Sequence, residues 1–254
     1  MIKTSSLRAE TNFDSTAINL QMSGGSSAHD LSLSHAVLEL SRKRSEHDTP
    51  LLSSTEHTIT AQANICHPTT WYDVVPIITS GWAMSSVILS NGRQQILSFL
   101  LPGDIASTAL VYTPTSSRLV QAITKVTYRS FNRSELKMAL SKHPELLDKF
   151  VKVWIDERME ADQLIVDLGR RTAEERLARL ILNLMKRLAK LGMVKDQTTD
   201  FPLRQHQIAD AAGLTSVHVS RILMTFRRKG LIAIDGRSLT IRNPDELNRI
   251  ATLK

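Results

Sequence analysis

The chain has 254 residues and is 42% hydrophobic, enough for two domains with cores of their own. Its net charge of +7 is segregated: residues 169–254 hold seventeen Lys/Arg against eight Asp/Glu, residues 1–168 fifteen against seventeen, which puts the positive field of a phosphate-binding segment in the C-terminal third. A single cysteine, Cys66, excludes an internal disulfide and fits a reducing compartment; no apolar run nears the roughly eighteen residues of a membrane span, and the N-terminus carries no signal-peptide core, so a cytoplasmic protein without a membrane partner is expected.

Residues 1–50 are rich in Ser, Thr and Asn, with Gly24-Gly25-Ser26-Ser27 and the basic triplet Arg42-Lys43-Arg44. Little here can bury enough surface to offset ordering entropy, so a flexible arm is expected. A short helix around Leu31–Leu40 is the one segment able to dock on a neighbour, through Leu31, Val37, Leu38 and Leu40.

Residues 51–143 change texture. Short β-rich runs at Ile59, Ile65, Val74-Val75, Ile77-Ile78, Val87–Leu89, Ile96–Leu101, Leu119–Ile123 and Val126–Phe131 are separated by Asn91-Gly92, Pro102-Gly103-Asp104 and Pro114. That spacing predicts an antiparallel barrel or jelly roll. Helical periodicity resumes at Ser134–Leu140. A long helix follows over 144–168, opened by Pro144, which a first turn tolerates. Leu147, Val151, Trp154, Ala161, Ile165 and Leu168 recur along it at 4,3 spacing, interrupted by Arg158. Such a stripe suits a coiled-coil seam and a face packed on the β-rich domain equally well. Gly169 is expected to break this helix. Thr172 with Glu175 then forms a capping box for an amphipathic helix through Leu177, Leu180, Ile181, Leu184 and Leu188. Gly192–Asp200 reads as a loop.

The segment Phe201–Arg242 organises the C-terminal domain, 169–254. A helix over Arg204–Ala212 ends at Gly213, where a left-handed backbone is cheap. Thr215 or Ser216 caps a second helix reaching about Lys229, with Val219, Ile222, Leu223 and Phe226 facing a core. Its other face carries Ser216, Val217, His218, Ser220 and Arg221. Leu231–Ile234 and Ser238–Arg242 form a hairpin around Asp235-Gly236. Two helices, a tight turn and a hairpin make a winged helix–turn–helix, whose second helix enters the major groove of double-stranded DNA.

The runs GLTSVHVSRIL (213–223) and RRKGLI (227–232) resemble the C-terminal domain of the Crp/Fnr bacterial transcription regulators. The resemblance extends upstream through LGRRTAEERLARLILNLMKRL (168–188) and GWAMSSVILSNGRQQILSFLLPGD (81–104), and so covers about Thr58 to the C-terminus. It implies an α+β protein: an antiparallel, jelly-roll-like β-roll of the cyclic-nucleotide-binding type with corners at Gly81, Gly92 and Gly103, a long dimerisation helix, and a winged helix–turn–helix. It also implies a homodimer on a near-palindromic operator, with RNA polymerase as a further partner. Leu147, Val151, Trp154, Ala161, Ile165 and Leu168 would line the dimer seam.

For the DNA interface, the family's Ser/Gly-Arg pair matches Ser220-Arg221, which places Arg221 bidentate on guanine. Many members carry glutamate where this chain has Val217, which suits a thymine methyl instead. His218 and Ser220 lie within reach of a base edge or a phosphate. Thr215, Ser216, Arg227, Arg228 and the wing's Arg237 are expected on phosphates, setting register without reading sequence.

The sensor residues depart from the family. Members that bind cyclic AMP carry a glutamate after the Pro-Gly-Asp-type turn and an Arg-Ser pair; here Thr108 stands at about the first position and Arg118 precedes Leu119. An iron–sulfur cluster needs about four thiolates or substitutes. Haem needs an axial ligand such as His or Cys, which Cys66-His67-Pro68 could offer, although neighbouring His and Cys residues in a loop are commonly without such a role. No cofactor is therefore expected, nor a redox switch at Cys66, which has no nearby cation to lower its pKa. The chain shows no phosphate-cradling Gly-rich loop, no GxSxG and no HExxH, so no enzyme is expected. The rival reading is a β-roll ligand-binding or interaction module whose helix–turn–helix is vestigial; it predicts no salt-dependent DNA binding.

Overall fold

A computed structural model describes residues 32–42 and 52–252. Helix α1 (Leu33–Arg42) buries Leu33 and Val37 in a cluster shared with the β-roll and the long helix. Part of the arm expected to be flexible is thus a docked helix, because Leu33 and Val37 share a face. Leu31, Lys43, Arg44 and the rest of 1–31 and 43–51 lie outside the described residues; Arg42 ends α1, exposed.

Seven strands build the roll: β1 (Ser54–Ile59), β2 (Asn64–Cys66), β3 (Val74–Ser80), β4 (Ala83–Ile88), β5 (Gln94–Leu100), β6 (Leu119–Ala122) and β7 (Val126–Asn132). They form two antiparallel sheets ordered β1-β7-β3 and β2-β6-β4-β5. Inward residues of both sheets, among them Val75, Ile77, Val120, Val126 and Phe131, make the core between them. At the corner between β3 and β4 Gly81 has φ +85°, and a Cβ there would lie 2.2 Å from the Lys125 carbonyl oxygen, so only glycine fits.

Helix α2 (Arg133–Lys142) starts at Asn132, whose side chain accepts from the Glu135 N–H. Helix α3 (Pro144–Arg170) follows at once. It buries Leu146 and Phe150 against the roll, and its C-terminal part runs out to the C-terminal domain. The helix ends at Arg170, one residue beyond the break expected at Gly169. One exposed glycine costs a helix only about 1 kcal/mol, and Asp167 pairs with Arg171 and Arg179 across this turn. The chain leaves the helix at Arg171, which is extended.

The C-terminal domain comprises α4 (Ala173–Lys190), β8 (Thr198–Asp200), α5 (Gln205–Ala212), α6 (Ser216–Arg228), β9 (Ile232–Asp235), β10 (Ser238–Ile241) and α7 (Pro244–Thr252). Thr172 and Glu175 form the expected capping box of α4. Thr198–Asp200, expected in a loop, adds a third strand to the wing, in the order β8-β10-β9. Helix α7 was not anticipated, although Asn243-Pro244-Asp245-Glu246 is a start signal of cap, proline and acidic first turn. The Asn243 side chain accepts from the Glu246 N–H, and Leu247, Ile250 and Ala251 are buried.

The roll and the C-terminal domain share a core. Trp82, Met84, Ile96, Phe99 and Leu101 join one apolar cluster with Leu184, Leu188, Phe201 and Phe226; Trp82 meets Phe201 edge-on at 6.4 Å between centroids. Arg187 of α4 donates to the Phe99 carbonyl at 2.9 Å and pairs with Asp104, whose carboxylate also accepts from the Leu101 N–H. Gln95 of β5 donates to the Ala211 carbonyl at the end of α5.

Two outcomes follow. Trp82→Ala should cost about 3–5 kcal/mol in urea unfolding, the usual cost of removing a buried large aromatic, and should split unfolding into two transitions if the shared core makes the domains cooperative. Gly213→Ala should cost more than the about 1–2 kcal/mol of a left-handed alanine, because its Cβ would stand 2.7 Å from Leu168 Cδ2; in a Leu168→Ala background the excess should vanish, a coupling that a double-mutant cycle of unfolding free energies reads directly.

Candidate nucleic-acid interface

Position of the second helix is set by the turn before it. Gly213 is left-handed (φ +63°, ψ +43°), and a Cβ there would stand 2.7 Å from Leu168 Cδ2, so the Leu168 side chain would have to move aside. Arg176 of α4 donates to the Ala212 carbonyl at 2.8 Å, so orphan carbonyls at the end of α5 are held from outside that helix. Thr215 is the N-cap of α6, its hydroxyl oxygen accepting from the His218 N–H at 3.2 Å. Val219, Ile222, Leu223 and Phe226 are buried, which turns the opposite face of α6 outward.

On that outward face lie Val217, His218 and Arg221, all exposed, with Ser220 half-buried at its edge. Val217 keeps 61% of its surface, and so does Met224. Met224 was missed in reading the sequence. Its spacing of three from Arg221 and seven from Val217 puts all three on one stripe, and its absence from the apolar set 219-222-223-226 was the available signal. Thr215 is exposed and Ser216 half-buried at the N-terminal end, while Arg227 and Arg228 are exposed at the C-terminal end. The structure thus gathers eight of the nine expected contact positions on or beside one helix.

Arg237 is placed differently from the rest. It sits at the wing tip beyond Gly236 and pairs with Asp200 at 2.9 Å. Both side chains are exposed, and a surface pair of this kind is worth at most about 1 kcal/mol, so a phosphate can compete for the guanidinium. The seam positions of α3 fall into two groups. Leu147, Val151, Trp154, Ala161 and Ile165 are exposed, Trp154 at 60% and Ile165 at 69%. Leu168 is half-buried and faces the Gly213 turn. Ile155, Met159 and Val166 are also exposed and widen the apolar stripe beyond the residues picked by the 4,3 spacing.

At the seam between roll and α3, Thr108 is buried and donates to Glu157 Oε2 at 2.7 Å. Burial pushes the carboxyls of Asp104, Glu157 and Glu160 up from their ordinary values, Arg118 pulling Glu157 back and Arg187 pulling Asp104 and Glu160 back. Thr108 stands where cyclic-AMP binders carry the glutamate and is engaged with Glu157, and Leu119 follows Arg118 in place of serine, so these residues do not fit a cyclic nucleotide. Cys66 is buried, and desolvation pushes its thiol up to about 12, so it stays protonated at neutral pH. It is also the only cysteine, which does not fit an iron–sulfur cluster. His67 is exposed, with Nδ1 3.2 Å from Thr69 Oγ1, and does not fit an enclosed haem ligand. Among the described residues no three His, Cys, Asp or Glu side chains stand close enough to hold a metal ion, and no helix is long and apolar enough to cross a membrane.

A family model described as the Crp-like helix-turn-helix domain matches residues 175–250. The nitrogen fixation regulation protein FixK of Bradyrhizobium diazoefficiens is 33% identical over 164 residues, 65% of this chain and 68% of that protein. The fumarate and nitrate reduction regulatory protein of Escherichia coli K12 is 29% identical over 174 residues, 68% of this chain and 69% of that one. Among solved structures, FixK2 from Bradyrhizobium japonicum superposes with a TM-score of 0.73 at 27% identity, over 80% of this chain and all of that one. A CooA variant from Carboxydothermus hydrogenoformans (TM-score 0.64, 21% identity, 78% of this chain and 88% of that one) shares the fold. With a β-roll, a long connecting helix and this winged domain in the same order, the chain belongs to the Crp/Fnr family of bacterial transcription regulators.

Proposed function

We propose that the protein is a sequence-specific, DNA-binding transcription regulator that grips a near-palindromic operator as a homodimer. The observation that carries this reading is the outward face of α6: Arg221 exposed on a capped helix, cations at its C-terminal end, and a core-facing side that fixes its orientation. Pairing of two α3 helices through Leu147, Val151, Trp154, Ala161 and Ile165, with Ile155, Met159 and Val166 beside them, would cover apolar surface that one chain leaves to water. Two α6 helices would then meet successive major grooves about one helical turn apart. Leu168 joins that pairing only at its edge, since it also supports the helix–turn–helix.

In this reading Arg221 is the guanine reader, Val217, His218 and Ser220 flank it, and Thr215, Ser216, Arg227, Arg228 and Arg237 hold phosphates. Arg237 exchanges Asp200 for a phosphate on binding. The buried, protonated Cys66 takes no part in signalling, and binding needs neither a cyclic nucleotide nor a metal or haem group. The protein acts in the cytoplasm, where RNA polymerase is its partner at the promoter.

Selection from a random duplex pool with the purified full-length chain should enrich a near-palindrome with half-sites one turn apart. On that site Arg221→Ala should cost about 1–3 kcal/mol and relax selectivity at one base pair, read by titration at fixed salt; an unchanged base preference would remove Arg221 from the reading. Wild-type affinity should fall steeply as salt is raised, through counterion release. Trp154→Glu with Ile165→Glu should leave a monomer in sedimentation and abolish tight operator binding. Thiol reagents should modify Cys66 only after unfolding, and native protein treated with them should bind DNA unchanged.

A further inference from the structure

Helix α6 contains no Asp, Glu, Asn or Gln over Ser216–Arg228. It therefore has no carboxylate to accept from cytosine N4 and no amide to pair bidentately with adenine. Two of its four short hydroxyl groups, counting the N-cap, are engaged within the helix. Thr215 caps the helix by accepting from the His218 N–H, and Thr225 donates back to the Arg221 carbonyl at 3.0 Å. The long polar side chain left at the centre of the face is Arg221, and on either side of it along the stripe stand Val217 and Met224, each 61% exposed. A lone exposed valine or methionine is ordinary; two of them bracketing the one guanine reader are a pattern.

We infer that Val217 and Met224 read thymine C5-methyl groups on both sides of the base pair read by Arg221, so that each half-site is recognised by one guanine between two methyl contacts. This rests on the regulator reading above. Val217 and Met224 are seven residues apart, which at 1.5 Å per residue places them about 10 Å apart along the helix axis, or roughly three base steps at the 3.4 Å spacing of one strand. Arg221 lies between them and a few tens of degrees around the helix. The chemistry at either end is dispersion and desolvation of one methyl group, which a valine or methionine supplies and a carboxylate does not. Met224 adapts its three rotatable bonds to the groove floor, whereas branched Val217 offers a fixed surface near the N-terminal end.

The test replaces thymine by deoxyuridine, which removes the methyl and leaves all base-pair hydrogen bonds in place. In the selected operator each thymine of a half-site is replaced singly, on either strand, and affinity is measured with the full chain. Two positions about three steps apart, with the essential guanine between them, should each lose about four-fold, the worth of one buried methyl group. Val217→Ala should erase the loss at one of these positions and Met224→Ala at the other, while both variants keep their dependence on the guanine. Both residues are surface positions, so folding is checked by unchanged melting. Equal binding of thymine and deoxyuridine duplexes, with guanine dependence intact, would overturn the inference and leave the regulator reading standing. Methyl sensitivity that survives both substitutions would also overturn it, assigning the effect to DNA shape. Failure of any sequence to enrich would instead remove the regulator reading, and the inference with it.

Discussion

Burial of the β4–β5 hairpin against α4 and the wing domain is the contact on which the rest of the molecule depends. Met84, Ile96 and Phe99 are strand residues of the roll and Trp82 stands at the corner just before β4, yet their side chains complete the core of the DNA-binding domain. Neither side of this seam could be exposed without opening a large apolar patch to water. The polar ties at its edge are few and specific. Arg187 reaches the Phe99 carbonyl and Asp104, and Gln95 reaches Ala211. Apolar area supplies the adhesion; the hydrogen bonds set the register, because each would be left unpaired by a shift of the two bodies.

The same seam explains why the helix–turn–helix is so firmly held. Carbonyls at the end of α5 are taken by Gln95 of the roll and Arg176 of α4, and the turn glycine rests on Leu168 of α3. Three distant parts of the chain therefore converge on one short turn. Any displacement of the roll or of α3 is transmitted to the start of α6 through packed atoms rather than through a flexible linker. The acidic seam beside it, where Thr108 donates to Glu157 and Arg187 pairs with Asp104, ties the roll to α3 and α4.

Local rules made most elements legible. The 3.6-residue period of α4 and α6, the capping box at Thr172, the glycine at 213 and the Asp235-Gly236 hairpin are all short-range signals, and each is decided within one or two turns of chain. What was not legible depends on distant partners. Gly169 marks the end of α3 to within one residue, and the pairing of Asp167 with Arg171 and Arg179 across that end is what the sequence does not show. Leu168 looks like a seam residue, but only the folded chain reveals the turn that it supports. Met224 was legible as an outward position from its spacing of three from Arg221 and seven from Val217, and was passed over. Arg237 carries no sign in sequence of Asp200, thirty-seven residues away. Helix α7 was legible from Asn243-Pro244-Asp245-Glu246 and was passed over.

The apolar stripe of α3 has a further consequence under the proposed pairing. Assembly and operator binding are then linked equilibria, and two chains enter every occupied site. Where chains are scarce and mostly single, occupancy rises with the square of their concentration, and a modest change in synthesis or proteolysis is amplified at the promoter by mass action. A regulator of this build responds to its own abundance without any ligand, and weakening one face of one helix would move the threshold of that response while leaving the code read in the groove untouched.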